Sequence, residues 1–249
     1  MIKIKKGLDI PINGSPAEDI TDSKNSRSVA ILGNDYVGMK PTMLVEEGQQ
    51  VKLGQPLFED KKNPGVVITS PAGGKVESIN RGDRRVLQSI VIEIDSNEES
   101  IEFNRVDPNQ ISNTSSAVIS KQLIDSGMWT AFRTRPYSKV PAIDSLPANI
   151  FISALDTQPL SPNPETIIKL HKDDFDFGIL ILKKLTNCPI HLSVSENSSL
   201  DIQEDDQLKK HIVSGPHPAG LVGTQMHFIS PASLSNICLL YTSPSPRDS

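Results

Sequence analysis

The chain has 249 residues and a mass of 27.2 kDa, room for one large domain or two ordinary ones at roughly 100–200 residues each. Its 25 Lys+Arg against 30 Asp+Glu give a formal net charge of −5, which argues against a general nucleic-acid binder, since that activity needs a basic surplus. Two cysteines, Cys188 and Cys238, are too few for a disulfide framework or a Cys-rich zinc or iron–sulfur site, and they fit a reducing compartment.

No segment approaches the ~18 consecutive apolar residues of a membrane helix. The start, MIKIKKGLDIPI, puts lysines where a signal peptide has its apolar stretch. The expectation is a cytoplasmic chain that meets a membrane only through partners.

Glycines and prolines punctuate the first hundred residues. Between them lie strand-length apolar segments at 29–32, 56–58, 66–69, 75–80 and 86–94, the last (VLQSIVIEI) rich in β-branched residues. Residues 28–95 therefore read as a small all-β unit. The polar stretch 96–110 reads as a linker. Residues 111–128 can form a helix, with Gly127 near its end. Residues 129–141 hold too many prolines and too little period for a helix or a central strand. From about residue 148 the pattern changes. Asn149–Ala154 reads as a buried strand, 164–171 as a helix start with Asn163 as N-cap and Pro164 at the first position, and Phe175, Ile179, Leu182 and Leu185 as a helical stripe. The segment 189–194 reads as a further strand, so this half has the α/β alternation. The terminal CLLYTSPSPRDS, 238–249, is nonperiodic and Ser/Pro-rich. It reads as a non-native tail that does not pack. The expected division is 1–100 (N-terminal segment and β domain), 101–147 (helical joint), 148–237 (α/β domain) and 238–249 (tail).

Four stretches carry chemical information. VEEGQQVKLGQPL followed by ITSPAGGKVESI resembles the biotinyl/lipoyl-type barrel-sandwich fold, with Gly48 and Gly54 at tight turns. In that family a lysine at the hairpin tip is modified. Here the tip is EDKKNPG, without the biotin or lipoate signature, and Lys61 and Lys62 read as solvated turn lysines. LGNDYVGMKPTMLV matches no phosphate loop. Its Tyr36, Met39 and Lys40 form an aromatic–thioether–cation set suited to an aromatic head group, though such a loop also packs on a barrel. SGMWTAFRTRPYSKVP gathers Trp129, Phe132 and Tyr137 with Arg133, Arg135 and Lys139. It reads equally as an anion or quinone-type pocket, as a partner-docking surface, or as a domain joint with its arginines paired to acids. SGPHPAGLVGTQMHF holds His217 between two prolines with no further ligand at metal spacing. His191 reads as a satisfied core histidine, and Cys188 lacks an adjacent base.

Taken in order, IKIKKGLDIPI, LGNDYVGMKPTMLVEEG, VKLGQPLFEDKKNPGVVITSPAGGKV, INRGDRRVLQSIVIE, WTAFRTRPYSKVP, ALDTQPL and GPHPAGLVGT resemble the A subunit of the bacterial sodium-translocating NADH:quinone oxidoreductase, collinearly from Met1 to about Ile237. The family has His where Gln225 stands, which weakens any role for that position, and its chains run on for nearly as much sequence again. The resemblance thus implies the N-terminal half of such a protein. It implies a multidomain α+β fold: the barrel-sandwich unit, then an α/β domain related to the flavin-binding subunit of respiratory complex I, with flavin and cluster ligands lost. It implies a peripheral subunit on the cytoplasmic face of the inner membrane, in a complex that oxidises NADH, reduces ubiquinone and exports Na⁺. FAD, FMN and the iron–sulfur centres would belong to partner subunits, with no cofactor or metal on this chain and no activity in the isolated chain. It further implies quinone or inhibitor contact, for which the candidates are Tyr36, Met39, Lys40, Trp129, Phe132, Arg133, Arg135, Tyr137 and Lys139. The alternatives are a purely structural role in the same complex and, more remotely, a lipoyl-like carrier. The loop 32–40 and the segment 129–139 are expected to meet in a seam between the two units.

Overall fold

The computed structural model describes residues 1–21, 26–104, 106–232 and 238–241. Its strands and helices, in chain order, are β1 (Ile2–Lys3), β2 (Ser28–Leu32), β3 (Pro41–Met43), β4 (Gln50–Val51), β5 (Pro56–Asp60), β6 (Val67–Thr69), β7 (Gly74–Arg81), β8 (Leu87–Ile94), α1 (Ser116–Asp125), β9 (Phe132–Arg135), β10 (Asn149–Ala154), α2 (Pro164–Leu170), α3 (Lys172–Leu185), β11 (Ile190–Ser195), β12 (Leu208–Ser214), α4 (Val222–Ile229) and β13 (Cys238–Tyr241).

The strands β2 to β8 make two small antiparallel sheets, ordered β2-β8-β7-β4 and β3-β5-β6. The pleat of β8 sends Leu87, Ile90 and Ile92 inward. They meet Leu57, Phe58, Ile68 and Val76 from the other strands in one closed core. Each such side chain contributes about 1.5–3 kcal/mol when fully buried, so strands of two to eight residues suffice here. The turns at Gly48 and Gly54 have φ of +84° and +80°, as the motif requires.

The second unit is a six-stranded sheet ordered β1-β12-β11-β10-β13-β9, parallel except for β9. On one face Ile150, Ile152, Ile190, Leu192 and Val194 pack against Ile179 and Leu182 of α3, with α1 and α2 beside it. On the other, Phe151 meets Val222 and Met226 of α4. Asn163 caps α2 as expected: its Oδ1 accepts the Glu165 N–H at 3.1 Å, with Pro164 following.

Several expectations need correction. Residues 238–241 are not an unpacked tail: β13 lies between β10 and β9, paired over four residues on each side. A strand of four residues is too short to display a period, so in sequence it merges with the Ser/Pro-rich stretch that follows. The rest of the expected tail, 242–249, lies outside the described residues. The sheet also recruits β1 from the segment assigned to the β domain, and β9 from the segment assigned to the joint. The helix expected over 111–128 is confined to α1, because Pro108–Asn113 forms a 3₁₀ turn before it and Gly127 turns left-handed after it. β12 and α4 are not evident in the sequence. Lysines and a histidine hide the first, and neighbouring glycines and prolines hide the second.

Candidate functional site in the seam between the two units

The loop after β2 and the segment from α1 to β10 meet, as expected. Arg133 reaches across with Nη2 3.4 Å from the Asp35 carbonyl, and its Nη1 donates to the carbonyls of Thr130 and Phe132. Its hydrogen bonds therefore go to backbone oxygens, while its charge is also felt by the nearby Asp35 carboxylate. Thr69 Oγ1 of β6 donates to the Ser126 carbonyl at 3.1 Å. Gly127 adopts φ +77° beside it. A Cβ there would fall 2.4 Å from Thr69 Oγ1, so only glycine allows this approach. Val66 inserts from the β5–β6 turn into the core of the α/β unit.

Beside these contacts lies a cavity of about 240 Å³. Tyr36, Val37, Gly38 and Met39 form one wall, and Lys139, Val140 and Ala142 the opposite one. The β5–β6 hairpin closes it with Asp60, Lys62, Asn63, Val66 and Ile68. Tyr36 packs edge-on to Phe58, ring centroids 6.2 Å apart at 89°. Burial pushes its phenol pKa up, partly opposed by Arg133, and the hydroxyl also bonds the Thr130 side chain. It therefore stays neutral, and because Thr130 Oγ1 itself donates to the Gly127 carbonyl at 2.8 Å, the phenol proton is directed at Thr130. The Asp60 carboxylate is committed to backbone: Oδ1 accepts the N–H groups of Lys40 and Lys62, each at 3.0 Å.

Of the nine candidate residues, Tyr36, Met39 and Lys139 line the cavity. Lys40 is exposed next to it, with only its backbone in the wall's hydrogen bonds. Trp129 and Phe132 are buried in the α/β core, edge to face at 5.5 Å, and the indole N–H donates to the Pro141 carbonyl at 2.9 Å. Arg133 clamps the seam. Arg135 is half-buried and donates to Ser138 Oγ at 3.1 Å; burial, then neighbouring Arg133, lowers its pKa. Tyr137 points outward, 67% exposed.

The hairpin tip, which reads in sequence as solvated, is the part of the site that sequence reasoning misses. Lys61 and Lys62 are both exposed, but Lys62 Nζ donates to the Gly38 carbonyl at 2.9 Å. Asn63 Nδ2 donates to the carbonyls of Val140 and Pro141 at 3.2 and 3.0 Å. A signal was available: this tip is the projecting point of the barrel-sandwich pattern, and a projecting point is where a second unit is met.

The other candidates fall into structural roles. His191 is half-buried on β11, with its Nε2 3.1 Å from Asn149 Oδ1 and its Nδ1 2.9 Å from His211 Nε2. Burial, then His211, lowers its pKa to about 4. His217 Nδ1 lies 3.1 Å from Thr157 Oγ1. Burial pushes the Cys188 thiol pKa up, the wrong direction for a nucleophile. Gln225 is buried, its Nε2 donating to Ser153 Oγ at 3.0 Å and to the Ala219 carbonyl at 3.2 Å. Among the described residues no group of three or more His, Cys, Asp or Glu is placed to hold a metal ion. Nor, among them, is any helix long and apolar enough to cross a membrane.

A barrel-sandwich unit joined through a cavity-bearing seam to a mostly parallel α/β unit defines the class. Residues 2–95 match the NqrA N-terminal barrel-sandwich hybrid domain, and residues 114–241 the NqrA second alpha/beta domain. The chain is 54% identical over 233 residues to the A subunit of the Na(+)-translocating NADH-quinone reductase of Photorhabdus laumondii, covering 94% of this chain and 52% of that protein. It is 50% identical over 231 residues to the corresponding protein of Neisseria gonorrhoeae (93% and 52%) and over 233 residues to that of Yersinia pestis (94% and 52%). The chain belongs to the NqrA family and spans about half the length of the curated relatives it matches.

Proposed function

We propose that this chain works as part of a Na⁺-translocating NADH:quinone reductase, as its peripheral, cytoplasm-facing NqrA component, and that its seam cavity contacts ubiquinone or quinone-site inhibitors. Partner subunits carry the flavins and iron–sulfur centres, and attach this chain to the membrane. The observation that supports the reading is the cavity itself: apolar walls from Met39, Val66 and Val140 and the Tyr36 ring, with N–H donors from Lys62 and Lys139 for the carbonyls of a flat ring. Cavities between units are a favoured place for such ligands. Lacking a redox group of its own, the chain alone would not oxidise NADH; turnover with a soluble quinone above the uncatalysed rate would refute that part.

A purely structural role is the second reading, and it draws on Trp129, Phe132 and Arg133, which are spent on the weld. Tyr36→Ala and Arg133→Ala in the whole complex separate the two. The ligand reading expects weaker labelling by a quinone analogue with the chain retained in the complex. Unchanged labelling in both variants favours the structural role.

A further inference from the structure

We propose that the seam cavity selects the anionic form of an aromatic dicarbonyl over its neutral form, through Lys62 and Lys139. This rests on the quinone reading above and adds a charge preference to it.

The two lysines come from different units and converge on one backbone point, Gly38. From the β5–β6 hairpin, Lys62 Nζ donates to the Gly38 carbonyl at 2.9 Å. From the opposite wall, Lys139 Cε lies 3.8 Å from where a Cβ on Gly38 would sit. Both line the cavity. An ammonium has three N–H donors and no acceptor, so Lys62 keeps two beyond the Gly38 bond. The lining holds one acid, Asp60, and its Oδ1 already accepts two backbone N–H groups. Tyr36, the other ionisable group in the lining, has its pKa pushed up by burial and adds no negative charge. Cations in the lining, Lys62 and Lys139, therefore outnumber the single anion, Asp60. A neutral quinone gains only hydrogen bonds there, whereas an ionised hydroxyquinone, or a quinone that has gained an electron, gains charge-assisted ones.

The same geometry explains what the hairpin tip does in a chain without the carrier signature. In place of a modified lysine swinging on a free tip, Asn63 and Val66 pin the tip into the seam, and this directs Lys62 at the cavity.

The test is calorimetric titration of the chain at neutral pH with two probes of nearly equal shape. They are 2-hydroxy-1,4-naphthoquinone, which is ionised, and 2-methoxy-1,4-naphthoquinone, which is not. The wild type is expected to bind the hydroxy probe about tenfold more tightly, the scale of two partly solvated ion pairs. In Lys62→Met/Lys139→Met the ratio should collapse to about one, and in Lys62→Arg/Lys139→Arg it should be kept. Binding of the methoxy probe with no preference for the hydroxy probe would overturn the charge selection and leave the quinone reading standing. A preference that survives in the Met variant would overturn the role of these lysines. If neither probe binds, the quinone reading fails and this inference fails with it. Should a variant not fold, the wild-type ratio alone decides the charge preference.

Discussion

Asn63 gives the sharpest handle on the seam. Its amide donates to two carbonyls of the opposite unit, those of Val140 and Pro141. Truncation by Asn63→Ala removes two neutral hydrogen bonds, each with a net contribution of about 0.5–1.5 kcal/mol. The Pro141 carbonyl keeps the Trp129 indole N–H, and half-buried Val140 is reachable by water. The loss should therefore sit at about 1–2 kcal/mol, or a fall in melting temperature of about 2–8 °C for a chain of this size. Asn63→Asp has nearly the same shape but turns a carboxylate oxygen toward two carbonyl oxygens. It should cost at least about 1 kcal/mol more than the alanine variant, because a partly buried charge then faces acceptors only. Urea and thermal unfolding read by the fluorescence of Trp129, the single tryptophan, follow the seam directly. An aspartate variant as stable as the wild type would refute the donor geometry.

Gly127→Ala should cost about 2–3 kcal/mol through its left-handed backbone and its clash with Thr69, and the double variant with Thr69→Ala should cost less than the sum of the two, as a double-mutant cycle in urea would measure. Near His191, stability should fall with acid. Its folded pKa of about 4 lies below the ordinary 6.5, so the unfolded chain takes up the proton first as pH drops. The contribution is complete above about pH 6.5 and is lost toward pH 4. It amounts to about 1–2 kcal/mol after discounting for solvent screening of this half-exposed ring. His191→Asn should flatten that slope, and an unchanged slope would count against it. A chain ending at residue 237 should melt well below one ending at 241, because β13 pairs on both sides; equal melting temperatures would show that the strand adds nothing.

The barrel-sandwich unit is legible in sequence because each strand is one short apolar run between turn residues, and Gly48 and Gly54 mark where the chain must reverse. α2 is legible through a single cap, Asn163 before Pro164. The remainder of the α/β sheet depends on partners distant in sequence. Ile2–Lys3 is too short to declare itself and becomes a strand only because β12 offers an edge. β13 is four residues held by neighbours about 90 and 105 positions earlier. The meeting of 32–40 with 129–139 follows from their shared chemistry, but the division of labour within it does not. Trp129 and Phe132 look like ring-binding residues in one dimension and are core residues in three. Lys62 and Asn63 look like a solvated tip and form a wall of the cavity.

Whether the seam cavity holds a quinone ring is tested most directly by filling it. Ala142 lines the cavity and is exposed, so Ala142→Trp can occupy the space without entering either core. The measurement is calorimetric titration of a short-chain ubiquinone into the wild-type chain and this variant. One-to-one binding by the wild type and its loss in the variant are expected, with the melting temperature unchanged. Equal affinity in the two proteins would contradict a ring seated in the cavity.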